Sequence, residues 1–287
     1  IEGMKEQARI GVNPFKFGIS ASTDTHNATG GGVTERSFPG HLGWGDGTPQ
    51  RRVTYDTKIP GNASNNPGGL IGVWAEENTR ASLFDNIRKK EVFGTSGPRI
   101  KPRFFGGWAY DNKLCSDPEL LARAYAQGVP MGNDLPPPTG DAPVFIAAAM
   151  SDPGTPEFPG NALQRLQIVK GWYDKDGEHH QQVFEVAGNA DNGASVDLDS
   201  CEVSGTGFQQ LCTVWRDPQF DHDQAAVYYL RAVENPSCRY STWQCNELPG
   251  ADRPQHCDNP LVPKVIHERA WSSPIWYTPQ GEQAAGT

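Results

Sequence analysis

Two residues near the start of the chain, Asp24 and His26, have side chains that could bind a metal ion. They follow small and apolar residues typical of a buried strand, and three glycines at 30–32 come soon after them. Because the two residues are two positions apart, their side chains leave an extended chain on the same side. A carboxylate oxygen and an imidazole nitrogen are both ligands of divalent metal ions. The pattern predicts half of a metal site, but it is also typical of a solvated turn.

The next segment predicts a strand, a helix and a second strand. Residues 70–74 are apolar, residues 79–90 have helical periodicity, and residues 91–96 return as a strand. The buried stripe of this helix is expected to consist of Leu83, Phe84 and Ile87. Such a unit favours a parallel sheet, as in an α/β barrel.

Polar residues follow each of these predicted strands, as catalytic residues do in α/β barrels. Glu76 and Glu77 follow the strand at 70–74, and Arg99 follows the strand at 91–96. From these positions we assign catalytic roles to Glu77, Arg80 and Arg99. Glu77 would orient a ligand, and Arg80 or Arg99 would neutralise an anionic substrate.

The chain changes character after residue 102. A short helix is predicted at 116–128, and strand-like runs separated by turn residues follow it. These runs are residues 144–150, 163–172, 182–187, 211–215, 225–234 and 273–278. They predict an antiparallel β-sandwich. We therefore expect two domains, residues 1–102 and residues 103–287.

Composition excludes some classes of function. The 287 residues carry 25 basic and 34 acidic side chains, a formal charge of −9, without a basic cluster. Nucleic-acid binding is therefore not expected, because it needs Lys and Arg against the phosphates. No apolar run approaches the roughly 20 residues of a transmembrane helix, so no membrane span is expected.

The six cysteines predict disulfides. None forms a Cys-x-x-Cys pair, which argues against a structural zinc site. Cys201 and Cys212 flank Gly205 and Gly207, as two arms of a hairpin closed by a disulfide would. We expect at least two disulfides, with Cys201–Cys212 among them, although buried free thiols are also compatible with the spacing. Disulfides would place the protein in the periplasm or outside the cell.

Five segments in order along the chain carry a family resemblance: FGISASTDTH at 17–26, VWAEENTR at 73–80, RFFGGW at 103–108, IVKGW at 168–172 and SPIWYTP at 273–279. They resemble a bacterial family, the domain-of-unknown-function 3604 family, which is related to the polymerase-and-histidinol-phosphatase (PHP) superfamily of metal-dependent hydrolases. The resemblance implies an α/β plus β fold, in which the C-terminal part of a PHP-like distorted (β/α) barrel precedes a β-sandwich-like domain. Asp24 and His26 match the final Asp-x-His metal motif of PHP proteins. The first motif, a His-x-His, is absent, so we expect this chain to be the C-terminal half of a longer protein.

The resemblance and the residues together imply a metal-dependent hydrolase of the phosphoesterase type. Its cofactors would be divalent ions such as Zn, Mn or Fe, and its substrate a small-molecule ester. Activity is expected of the full-length protein, with the N-terminal half supplying the missing ligands, and not of this chain alone. The alternative is a secreted or periplasmic binding module that recognises a glycan or another envelope component.

Overall fold

Antiparallel strands make up most of the regular secondary structure in the computed structural model, which describes residues 1–55, 63, 65–248 and 250–279. Within these residues the helices are α1 (Glu2–Ile10), α2 (Pro49–Val53), α3 (Arg80–Arg88), α4 (Leu120–Gln127) and α5 (Tyr240–Glu247). The strands are β1 (Leu70–Val73), β2 (Val92–Thr95), β3 (Lys101–Gly107), β4 (Gly128–Pro130), β5 (Val144–Met150), β6 (Leu163–Tyr173), β7 (His179–Gly188), β8 (Ser195–Val196), β9 (Val203–Ser204), β10 (Gln210–Arg216), β11 (Ala226–Cys238), β12 (Val265–Ser272) and β13 (Ile275–Tyr277).

Two of the three sheets pack face to face. The larger sheet has the order β1-β2-β12-β11-β6-β7, with β13 also paired to β11, and the smaller has the order β10-β5-β3-β4. Their shared core contains Phe104 and Phe145 from the smaller sheet, and Ile168, Tyr228 and Leu230 from the larger. The described residues therefore form a β-sandwich, in which the inner faces of the two sheets interdigitate.

The apolar run of β5 is buried on both sides. Phe145 and Ala147 face the core between the sheets, whereas Val144 and Ile146 pack with Ala124 of α4. A strand covered on both faces is expected to be continuously apolar, as this one is. The predicted strand at 144–150 is confirmed with the same bounds, and those at 163–172, 182–187, 211–215 and 225–234 lie within or overlap β6, β7, β10 and β11.

The predicted α/β barrel is wrong. β1 and β2 pair antiparallel, with Leu70 opposite Thr95 and Val73 opposite Val92, and β2 pairs antiparallel with β12 on its other side. No (β/α) barrel is formed by the described residues. The physical reason is that a strand–helix–strand connection can return to an antiparallel neighbour as well as cross to a parallel one, and its length does not distinguish the two. The division of the chain at residue 102 stays a prediction.

The predicted buried stripe of α3 is also wrong. Phe84 is 58% exposed and Ile87 is 46% exposed, and the buried residue of this helix is Asn86. Because α3 joins antiparallel neighbours, it does not have to cover a face of the sheet as a crossover helix does. Its N-cap is Thr79, whose side chain accepts a hydrogen bond from the backbone of Ser82.

Three disulfides connect the six cysteines, which confirms the prediction of at least two. They are Cys115–Cys212, Cys201–Cys238 and Cys245–Cys257. The predicted Cys201–Cys212 pair is wrong, because Cys212 lies in β10 beside β5, whereas Cys201 lies in the connection between β8 and β9. Three disulfides are consistent with a secreted or extracellular protein. In the described part of the chain, no helix is long and apolar enough to span a bilayer.

Candidate functional site

The segment before Asp24 lies against the edge of the larger sheet without forming a strand. The backbone N–H of Ile19 donates to Ser273 Oγ at 2.8 Å, and the N–H of Gly69 donates to the carbonyl of Ser22 at 2.9 Å. A Cβ on Gly69 would lie 1.9 Å from the carbonyl oxygen of Thr95, so only glycine allows this close approach. The contact fixes the chain immediately before the candidate metal ligands.

Asp24 and His26 lie side by side on an exposed turn. Asp24 Oδ1 is 3.9 Å from His26 Nε2, and the two side chains are 94% and 63% exposed. Asp24 has a φ of 49°, in the left-handed region that Asp tolerates better than most residues. The backbone N–H of His26 donates to His41 O at 2.8 Å, and Asn27 Nδ2 donates to Gly40 O at 3.0 Å. The turn is thus held by the neighbouring loop while both ligands face solvent.

The pair fits one part of a metal site. Zinc binds imidazole nitrogen and carboxylate oxygen at about 2.0–2.2 Å, so two donors 3.9 Å apart can share one ion. A catalytic ion generally takes at least three protein ligands. In the described part of the chain, no group of three or more His, Cys, Asp or Glu residues could hold a metal ion. Asp24 and His26 therefore suit an ion only together with ligands from elsewhere.

The three predicted catalytic residues lie apart from this pair. Glu77 Oε1 accepts a hydrogen bond from the Thr79 hydroxyl at 2.9 Å, and Arg80 is exposed as the first residue of α3. The Arg99 side chain is exposed, and its backbone N–H donates to Asp152 Oδ2 at 2.7 Å. Among the described residues, none of the three forms a hydrogen bond or ion pair with Asp24 or His26. Because β1 and β2 are antiparallel, their carboxyl ends also lie at opposite ends of that pair. The catalytic roles stay predictions.

Comparison with known proteins assigns the family. The sequence model of a family described as "Protein of unknown function (DUF3604)" matches residues 1–279. The chain belongs to the DUF3604 family. No curated protein and no solved structure matches it.

The DUF3604 chain also contains a buried cluster of charged side chains that the sequence did not predict. Glu35, Glu234 and Glu268 are each less than 10% exposed, and Arg239 is buried with them. The pKa of Glu35 is raised to about 7 and that of Glu268 to about 8, mainly because both carboxyl groups are buried. Burial also raises the pKa of Glu234 well above its ordinary value, and the neighbouring Glu268 raises it further. Burial thus moves the ionisation of Glu35 and Glu268 from the acidic range towards neutral and slightly alkaline pH.

The hydrogen bonds of this cluster are incomplete. Glu35 Oε2 accepts from the backbone N–H of Tyr240, and Glu268 Oε2 accepts from the Ser96 hydroxyl. Among the described residues, Glu35 Oε1, Glu234 Oε1 and Arg239 Nη1 are buried without a hydrogen-bond partner. One sequence signal could have found part of the cluster. Glu268 lies two residues before Ala270 and four before Ser272, which are both buried, so all three share one face of β12. This position predicts that the Glu268 side chain lies on the core face.

Proposed function

We propose that this DUF3604 protein is a metal-dependent hydrolase and that Asp24 and His26 are two of its metal ligands. The observation that supports this most directly is the 3.9 Å separation of an exposed carboxylate oxygen and an exposed imidazole nitrogen on a turn held by backbone hydrogen bonds. The relationship to the PHP superfamily, the position of the chain as a C-terminal half and the periplasmic or secreted location are parts of the proposal.

The substrate class in this proposal is a small ester of the phosphate type. A divalent ion bound at such a site lowers the pKa of a water ligand and polarises the ester oxygen. The residues of this chain would hold the ion, with neutral His26 and ionised Asp24 as ligands. The remaining ligands would come from the upstream half of the protein. The exposed guanidinium groups of Arg80 and Arg99 are available to an anionic substrate, and Glu77 would orient a ligand.

Metal content of the full-length protein tests the proposal. We expect Asp24→Ala and His26→Ala each to lower the bound Zn, Mn or Fe measured by elemental analysis, without unfolding the protein. Both side chains are exposed, so their removal leaves the core intact. Asp174→Ala and His180→Ala are the matched controls, because this pair is also partly exposed, with Asp174 Oδ2 2.7 Å from His180 Nε2.

Full metal occupancy in Asp24→Ala and His26→Ala would refute the ligand assignment. An equal loss of metal in the Asp174 and His180 controls would mean that the loss is not specific to the site. If the full-length wild-type protein binds almost no metal, the alternative function, a module that binds a glycan or another envelope component, is favoured.

A further inference from the structure

A cleft of about 530 Å³ lies where β1, α3, β3 and α4 meet. Asp24 and His26 are not among the residues that line it. Its volume is within the range of small-molecule sites. We call it the Glu91 cleft and define it by Trp74, Glu76, Lys89, Glu91, Arg103 and Tyr125. Trp74 follows β1 and Glu91 precedes β2 of the larger sheet, whereas Arg103 lies in β3 of the smaller sheet. The folded state therefore brings together residues from separate parts of the chain.

The charged and aromatic side chains of the Glu91 cleft are held in place by one another. The Arg103 guanidinium lies 3.4 Å from the centroid of the Trp74 ring, and its Nη1 donates to the Tyr125 hydroxyl at 3.0 Å. The Tyr125 hydroxyl in turn donates to Glu91 Oε1, which lies 3.5 Å from Arg103 Nη1. A site fixed in this way loses little conformational entropy when a ligand binds.

Several polar atoms remain available to a ligand. Among the described residues, Glu91 Oε2 has no hydrogen-bond partner, and neither do Arg103 Nε and Nη2. Burial has the largest effect on the pKa of Glu91 and raises it. The hydrogen bond from Tyr125 and the positive charge of Arg103 lower it. A hydrogen bond formed in such a poorly solvated place is stronger than the same bond in water.

The balance of these groups identifies the ligand class. The Glu91 cleft offers two carboxylates, which only accept hydrogen bonds, and two cations, which only donate them. A hydroxyl group does both, so adjacent hydroxyls satisfy a carboxylate and a guanidinium at once. An anion would be repelled by Glu76 and Glu91, and a cation by Lys89 and Arg103. A zwitterion would compete with the ion pair that Glu91 and Arg103 already form.

An apolar wall completes the site. Tyr125 and Pro130 both line the cleft, and Tyr125 is 43% exposed. A sugar ring has a C–H face and a hydroxyl edge, which match this wall and the polar groups beside it. We infer that the Glu91 cleft binds a neutral saccharide, with adjacent hydroxyl groups bonded to Glu91 Oε2 and to Arg103 Nε or Nη2, and with the C–H face of the ring against Tyr125 and Pro130. The inference does not depend on the metal site.

Isothermal titration calorimetry of the full chain tests this inference, with glucose, galactose, mannose, N-acetylglucosamine, maltose and cellobiose as probes at millimolar concentration. At least one of them should bind, and Glu91→Gln and Arg103→Lys should each weaken that binding about tenfold or more. Gln lacks the charge that strengthens the hydrogen bond at Glu91, and Lys lacks the Nε and Nη2 donors of Arg103. Lys89→Ala, a change at an exposed position that does not threaten folding, should weaken it less.

Glu185→Gln is the matched control, because Glu185 forms an ion pair with Arg165 at 3.4 Å outside the cleft, and binding should be unchanged. Asp24→Ala should also bind the saccharide as the wild type does, which separates this inference from the proposed metal site. The inference is overturned if no saccharide of the panel binds, or if one binds equally well to Glu91→Gln and Arg103→Lys. Binding of glycine or glutamate in place of the sugars would overturn it as well.

Discussion

Replacing Glu268 by Gln should stabilise the folded protein at alkaline pH and have little effect in acid. Glu268 is 5% exposed and faces Glu35, with Arg239, Arg269 and Glu234 also near it. Its pKa is raised in the folded state from 4.5 to about 8, chiefly by burial. The folded protein therefore holds a proton that the unfolded chain gives up. The stability linked to this proton is fully present below pH 4.5 and is lost as the pH rises through about 8.

The size of the effect follows from this difference in pKa. At 1.36 kcal/mol for each pKa unit, a rise from 4.5 to about 8 corresponds to at most about 5 kcal/mol above pH 8. Gln has nearly the same shape, carries no charge and can still accept the hydrogen bond from the Ser96 hydroxyl. Glu268→Gln should therefore be several kcal/mol more stable than the wild type at about pH 8.5 and nearly equal to it at about pH 5.

Urea unfolding with the disulfides intact, followed by tryptophan fluorescence at about pH 5, 7 and 8.5, measures this difference. Glu202→Gln is the control, because Glu202 is exposed and its substitution should leave the pH dependence unchanged. The reasoning fails if Glu268→Gln and the wild type lose stability in parallel as the pH rises. It also fails if the variant is the less stable protein at pH 8.5, since Glu268 would then be an ionised partner of Arg239.

Two further predictions concern stability. Lys170 Nζ lies 2.6 Å from Asp217 Oδ2, which also accepts from the Tyr228 hydroxyl at 2.7 Å, and this pair is buried. Asp217→Ala should lower the free energy of unfolding by about 3–5 kcal/mol, because it leaves a buried charge unpaired. The double variant Lys170→Met with Asp217→Leu should recover most of that loss, and no recovery would contradict the explanation. Replacing both Cys115 and Cys212 by Ser should cost up to about 4.7 kcal/mol, because this disulfide closes a loop with a sequence separation of 97. Peptide mapping of the unreduced protein should find Cys115 linked to Cys212, and a peptide linking Cys212 to Cys201 would contradict the structure.

The strands could be predicted where the signal was local. β5 is an apolar run between turn residues, and β11 alternates between buried and half-buried positions, so composition and period identify both. The partners of a strand are not local information. β2 lies between β1 and β12, and β12 comes from the other end of the chain. The same strand–helix–strand pattern suits a parallel and an antiparallel sheet, and the family resemblance favoured the wrong one.

The disulfides show the same limit. Two cysteines that flank glycines in the sequence suggest a hairpin, but Cys201 pairs with Cys238 at the end of β11. The pairing of the cysteines depends on which strands become neighbours, and the spacing of the cysteines does not contain that information. That at least two disulfides form could be predicted, because the cysteine count is even and the composition is loop-rich.

The candidate site divides in a similar way. The spacing of Asp24 and His26 predicts two side chains on one side of an extended chain, and the structure has them 3.9 Å apart. They meet on a turn with a left-handed Asp24 and not at the end of a strand. The buried cluster was not predictable as a whole, because Glu35 and Glu268 come from opposite ends of the chain and share no local pattern.

The residues around the turn explain how the exposed side chains of Asp24 and His26, the proposed ligands, can have a defined position. Arg239, which is buried beside Glu35, donates to the carbonyl of Asn65, and His41 Nε2 donates to the carbonyl of the next residue, Asn66. The carbonyl of His41 accepts the backbone N–H of His26.

Three hydrogen bonds, joined through the chain at 65–66 and through His41, therefore connect the buried charges to the turn. Side chains that point into solvent cannot be fixed by packing, and a metal ion bound by freely moving ligands would have to order them at an entropic cost. The buried Arg239 and the loop at 65–69 reduce that cost by holding the backbone. In this arrangement the charged cluster contributes to the position of Asp24 and His26 without being a ligand itself.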